Sequence, residues 1–224
     1  MKPKFAFILL ILVLLAPGYG LANPAQEVSG QILGGFRILE IKPETGSQSF
    51  TVYRGDYIKF RLPQNLKAPD IRFPLLNQTQ PIVHDLEKAP YFKMKTEGVQ
   101  PFSMGNIQGE IRVIEYLQAN YRALTVEQAD EFIRSAKPLI LDVRTPGEFK
   151  GGHLKDAVLI PVQSLQKRIH ELEAHKDDPV LVYCATGNRS TVASKILIDA
   201  GFKDILNLKR GIAGWAQKRY PIVK

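Results

Sequence analysis

Pro179-Val180-Leu181-Val182-Tyr183-Cys184-Ala185-Thr186-Gly187-Asn188-Arg189-Ser190 is the stretch that decides how this chain reads. After Pro179, four strand-forming residues run into the only cysteine of the chain, and the pattern from Ser190 to Ala200 predicts a helix behind it. A thiol therefore sits where a strand opens into a loop. A cysteine attacks as its thiolate, and this loop offers three ways to favour the anion. Successive backbone N–H groups in a tight turn form an anion nest. The following helix points about half a positive charge at it. Arg189 adds a full charge. Gly187 suits a backbone angle that side chains resist, and Ser190 is placed to cap the helix. Cys184 and Arg189 are the candidate catalytic residues. Ala185, Thr186, Gly187, Asn188, Arg189 and Ser190 are the candidate substrate-binding residues.

The sequence around this loop alternates strands and helices over residues 121–224. Thr125 and Gln128 form a capping-box pattern that opens a helix through Ala136. Leu139 to Val143 and Val158 to Ile160 are apolar strand runs. Val162 to His175 reads as one amphipathic helix, with Leu165, Ile169 and Leu172 on its apolar face. Gly201 closes the helix after the cysteine. Asp204 to Leu208 reads as a last strand and Ile212 to Lys218 as a short helix. The expected fold is a parallel sheet with helices on both faces, and ligands of such sheets bind beyond the carboxyl ends of the strands. Cys184 lies at one of those ends.

Residues 23–120 read as all-β. Phe36 to Ile41, Ser49 to Tyr53, Tyr57 to Leu62 and Glu110 to Tyr116 alternate apolar and polar residues. The proline-punctuated stretch from Pro63 to Pro90 reads as turns. Short strands at this spacing predict a β-sandwich.

Lys2 and Lys4 open the chain, Phe5 to Ala16 is apolar throughout, and Gly20-Leu21-Ala22 supplies small residues for a peptidase. That is the layout of a secretory signal peptide over residues 1–22. The apolar run of 12 residues falls short of the about 20 a spanning helix needs. Export, periplasmic or secreted, is expected rather than a membrane anchor. In an oxidising compartment a lone cysteine has no partner within its own chain, so it is either buried and inert or free and reactive, and the flanking loop favours the reactive reading. The net charge is +8, and the half with the cysteine carries most of it: residues 121–224 hold 17 basic and 12 acidic residues, residues 23–120 hold 11 and 10. Such a field favours small anionic substrates. The basic residues are scattered, so no nucleic acid is expected.

The second half resembles a single-domain rhodanese, of the thiosulfate sulfurtransferase family. Asp142-Val143-Arg144-Thr145-Pro146-Gly147-Glu148-Phe149-Lys150-Gly151-Gly152-His153-Leu154 matches the first family signature, with Ala157 and Pro161. Leu181-Val182-Tyr183-Cys184, Gly187, Arg189 and Ser190 match the active-site signature. Gly201-Phe202, Gly211 and Trp215 match the C-terminal one. The resemblance implies an α/β fold and a persulfide on Cys184, cradled by the backbone of Ala185 to Arg189. It also implies that Arg189 orients the loop and pairs with substrate charge. The implied donor is a small anion such as thiosulfate, and the implied acceptor is cyanide or a thiol. Passing a sulfur atom needs no acid–base histidine. The related cell-cycle phosphatases carry one more residue in the loop, so this loop length favours sulfur transfer over phosphoester hydrolysis. Arg210 departs from the pattern, standing where the family often has the first of two glycines.

Asp142 and Arg144 are expected to brace the sheet end rather than act in catalysis, because the loop lacks nothing without them. His153 matches a family position of structural role, and Trp215 is expected to pack rather than to form a substrate platform. Residues 30–116 resemble a cupredoxin-like domain through Phe50 to Phe60 and Met104 to Val113. A blue-copper site needs two histidines and a cysteine, and this segment has only His84, Met94 and Met104. No cofactor is therefore expected, and the β-sandwich is expected to dock a protein partner or shield the site. A copper-handling factor using His84 and the two methionines is a third reading. The rival to an enzyme is a rhodanese module that carries sulfur or binds a partner without turnover.

Overall fold

The computed structural model describes residues 28–224; the signal-peptide expectation for residues 1–22 lies outside them. Nine strands come first: β1 Gln31–Leu33, β2 Phe36–Glu40, β3 Ser47–Tyr53, β4 Tyr57–Arg61, β5 Asp70–Phe73, β6 Gln78–Pro81, β7 Phe92–Lys93, β8 Gly98–Met104 and β9 Ile107–Ile114. They form one sheet in the order β1-β2-β4-β7 and another in the order β3-β9-β8-β5-β6. Alternation turns one face of each sheet inward. Leu39, Ile58, Phe60 and Phe92 of the first sheet meet Ile71, Phe73, Phe102 and Ile111 of the second in one core. Phe73 lies 4.7 Å from Phe92 and 5.6 Å from Phe102, ring to ring. Two strands, β5 and β6, lie inside the stretch expected to be turns. Each is four residues long; β5 alternates only two apolar residues with two polar ones, and β6 is three polar residues and a proline with no buried side chain, so neither shows a readable pattern.

The remaining elements are β10 Tyr121–Leu124, α1 Val126–Ala136, β11 Leu139–Asp142, α2 Pro146–Lys150, β12 Val158–Leu159, α3 Val162–Arg168, β13 Pro179–Tyr183, α4 Asn188–Asp199, β14 Asp204–Leu208 and α5 Gly211–Gln217. The sheet order is β10-β14-β13-β11-β12, with every pairing parallel. The period of two divides β13 between its faces. Val180, Val182 and Cys184 pack with Val192, Ala193 and Leu197 of α4. Leu181 and Tyr183 pack with Ala129 of α1 and Trp215 of α5. Cys184 thus inherits its side of the sheet from the parity of the strand before it.

Two expectations are corrected. The helix expected from Val162 to His175 stops being α-helical after Arg168, and Ile169–His175 is a 3-10 helix. Ile169 and Leu172 are three apart, the spacing that eclipses in a 3-10 turn, and Leu172 is buried in the core that way. The helix after the cysteine starts at Asn188 rather than Ser190, with Gly187 as its N-cap at φ 99°. Ser190 is in its first turn and does not cap it. Among the described residues no helix is long and apolar enough to cross a membrane.

Candidate active site

Cys184 follows the last residue of β13 directly and is 1% exposed. Its Sγ accepts the Gly187 N–H at 3.2 Å and the Ser190 hydroxyl at 3.6 Å. The first hydrogen bond requires the chain to double back within three residues. The left-handed backbone of Gly187 allows that turn, as the sequence predicted. Ser190, misplaced as a cap, instead donates to Sγ or to the Gly187 carbonyl 3.0 Å away.

The N-terminus of α5 holds the other side of the loop. Ile212 N–H donates to the Cys184 carbonyl at 2.9 Å, and Ala213 N–H donates to the Ala185 carbonyl at 3.0 Å. A trans peptide directs its N–H opposite to its carbonyl. Pinning those two carbonyls to α5 therefore turns the amides of Ala185 and Thr186 away from it. Such inward amides, with the N-terminus of α4, stabilise negative charge on sulfur. Gly211 makes the approach of α5 feasible: a Cβ there would lie 2.2 Å from the Cys184 oxygen.

Arg189 is engaged by a carboxylate in this structure. Its guanidinium makes two hydrogen bonds to Glu148, at 2.6 and 2.8 Å. Glu148 in turn closes a capping box with Thr145 at the start of α2. The pair ties the cysteine loop to the neighbouring βα turn, and the Glu148 carboxylate offsets the charge of the Arg189 guanidinium. Arg189 also lines the space above the loop, so a substrate anion there would share it with Glu148. Glu148 is the site residue the sequence reading passed over, although the Thr145-x-x-Glu148 spacing announces a capping box. The hydrogen bonds from Arg189 hold the Glu148 carboxyl down at about 2. A carboxyl lowered in the folded state stabilises above its unfolded value and loses that contribution as pH falls through the folded one. The thermal midpoint of the protein should therefore exceed that of Glu148→Gln at pH 6. The gap should close between about pH 4.5 and about pH 2, and a pH-independent gap would contradict the assignment.

Asp142 and Arg144 lie behind the loop as a buried pair, Nη2 to Oδ2 at 2.6 Å, with Arg144 also donating to the Gly152 carbonyl at 2.7 Å. The Leu154 N–H donates to the Tyr183 hydroxyl at 3.1 Å. These bonds brace the sheet end, as expected. His153 stacks on Phe149 at 3.7 Å and bonds the Phe149 carbonyl. The Trp215 indole donates to the Pro221 carbonyl at 2.9 Å. Arg210 takes φ 69° before α5 and lines a separate cleft with Thr125 and Lys218, not the space above the loop. Met94 and Met104 belong to the aromatic core of the first half, and His84 is half-buried. Among the described residues no three His, Cys, Asp or Glu side chains gather as metal ligands.

Above the loop opens a cavity of about 500 Å³, lined by Thr186, Asn188 and Arg189 and, from β4, by Tyr57. Burial raises the Tyr57 phenol to about 12, with Arg189 pulling the other way. It stays protonated at neutral pH, a hydrogen-bond donor facing the loop.

Residues 125–218 match the rhodanese-like domain family. A sulfurtransferase of Allochromatium vinosum is 39% identical over 85 residues, 38% of this chain and 78% of that protein. The putative sulfur carrier protein YrkF of Bacillus subtilis is 34% identical over 79 residues, 35% of this chain and 42% of that protein. A rhodanese-related protein of Thermoplasma volcanium, solved by crystallography, is 33% identical; the match covers 46% of this chain and 98% of that one, with a TM-score of 0.42.

Proposed function

Because this chain belongs to the rhodanese-like family through residues 125–218, we propose that it is a sulfurtransferase working through a persulfide on Cys184. One observation carries the proposal: Sγ sits inside a loop whose carbonyls are pinned outward to α5 and whose Gly187 N–H points at the sulfur. That arrangement suits a sulfur anion, and the hydrogen bonds to the sulfur come from a backbone N–H and a serine hydroxyl rather than a histidine. In the first half-reaction the Cys184 thiolate attacks the outer sulfur of thiosulfate. The S–S bond of thiosulfate breaks, and sulfite leaves with the electron pair. In the second, cyanide or a thiolate attacks the outer persulfide sulfur and returns the electron pair to Cys184. This is double displacement and predicts ping-pong kinetics. Arg189 is a positioning residue, acting through Glu148 on the loop.

The proposal includes export, on the signal-peptide pattern of residues 1–22, and a cupredoxin-like β-domain that works as a wall rather than a metal site. A second reading, a sulfur carrier without turnover, is favoured by the likeness to a putative sulfur carrier. Intact mass before and after thiosulfate, then after cyanide, separates the two. Gain of one sulfur, removed by cyanide with thiocyanate formed, is the expected result. Gain that neither cyanide nor a thiol discharges would establish the carrier, and no gain from any sulfane donor would sink both.

A further inference from the structure

The far wall of the cavity comes from the β-domain. Tyr91 lies 5.5 Å from Phe36 and 5.5 Å from Tyr57, ring to ring, so three aromatics form one surface facing the nucleophile loop. Lys93 and Lys95 line the same space, and among the described residues no carboxylate does. Strand parity puts them there: Phe92 and Met94 turn into the β-domain core, Lys93 and Lys95 out of it. Lys93 Nζ lies 5.4 Å from the Tyr57 ring centre and 5.8 Å from that of Tyr91, within cation–π range. Neither lysine has an ion-pair partner among the described residues. With Arg189 engaged by Glu148, they are the uncommitted cations of the cavity.

Their position relative to the loop is built in. Gly55 donates its N–H to the Met94 carbonyl at 2.7 Å, and the Met94 N–H donates to the Asp56 carbonyl at 2.9 Å. The same Gly55 packs against α4, where a Cβ would stand 3.0 Å from the Asn188 oxygen and 3.0 Å from Thr191 Cβ. One turn therefore registers the lysine-bearing segment against the first turn behind the nucleophile. The cavity is also too large for thiosulfate alone. Five atoms at about 30 Å³ each fill about 150 Å³, against about 500 Å³ here.

We infer that the β-domain supplies a subsite for a low-molecular-weight thiol bearing carboxylates, with its sulfur at the loop, its carbon body on the aromatic wall and its carboxylates at Lys93 and Lys95. The inference rests on the sulfurtransferase reading for the reaction at that sulfur. The thiolate forms a bond to the outer sulfur of the Cys184 persulfide, the persulfide bond breaks with its electron pair returning to Cys184, and the thiol leaves as its own persulfide anion. No oxidant or reductant is consumed.

Calorimetric titration of mercaptosuccinate into the full chain, with Cys184 carrying no extra sulfur, reads the subsite without any transfer. Saturable binding is expected, weakened by raising salt and at least tenfold weaker in the Lys93→Gln, Lys95→Gln double variant. Neutral 2-mercaptoethanol should show no lysine-dependent binding. Wild-type protein without saturable mercaptosuccinate binding would overturn the inference. So would a double variant of unchanged thermal midpoint that binds mercaptosuccinate as wild type does. Lysine-dependent binding in a protein whose Cys184 never accepts sulfur would uphold the subsite and sink the sulfurtransferase reading.

Discussion

Cys184→Ser should reduce sulfur transfer to the assay background, a loss of about 10³-fold or more, while leaving the protein folded. Removing a covalent nucleophile commonly costs this much or more, because the two-step route has no substitute group. The environment argues for a clean result. Sγ is held by one backbone N–H and the Ser190 hydroxyl, and a serine oxygen can accept both. The core around Val182, Val192 and Ala193 keeps its volume to within one atom. Intact mass after thiosulfate should show one added sulfur on the wild type and none on the variant, with equal thermal midpoints. Transfer by the serine variant at more than a few per cent of wild type would mean that sulfur does not pass through residue 184.

Gly211→Ala should be the most damaging single methyl group near the site. Its Cβ would fall 2.2 Å from the Cys184 oxygen and 2.7 Å from the Ala185 oxygen. Those atoms are backbone, so no side chain can swing aside. The residue also sits at φ 56°, a left-handed conformation costing a side chain roughly 1–2 kcal/mol. Relief requires α5 to retreat, which breaks the Ile212 and Ala213 hydrogen bonds to the loop. The total should reach about 3–5 kcal/mol, a fall in thermal midpoint on the order of 10 °C for a chain of this size. Transfer should fall further than stability alone explains, because the loop amides lose their orientation. Gly147→Ala is the matched control, since a Cβ there meets nothing within 4 Å. A Gly211→Ala protein with the midpoint and activity of Gly147→Ala would show that the loop does not depend on α5.

The legible parts of this chain were those in which neighbours in sequence are neighbours in space. The β13–loop–α4 unit, the capping box at Thr125 and the closing glycine at 201 are local, and propensity with hydrophobic period is enough to read them. The short strands β5 and β6 and the 3-10 turn after Arg168 were hidden, because their conformation follows from what they pair with or pack against. Arg189 is the instructive case at the site. Its presence in the loop was plain, but its partner stands 41 positions away, and no spacing rule connects the two. The lysine wall is less legible still. Lys93 and Lys95 look like ordinary exposed residues of a β-domain until the Gly55 turn is seen touching both Met94 and α4.

By itself, then, the sequence determined where the one cysteine stands, which face of the sheet it takes and what kind of loop surrounds it. These depend on local backbone preference and on the two-residue period of a strand. Only the tertiary structure decided which cation remains available, which helix holds the loop carbonyls and what closes the cavity. Each of those depends on charges and carbonyls brought together from distant segments, and electrostatic pairing acts over ångströms of space without regard to distance along the chain.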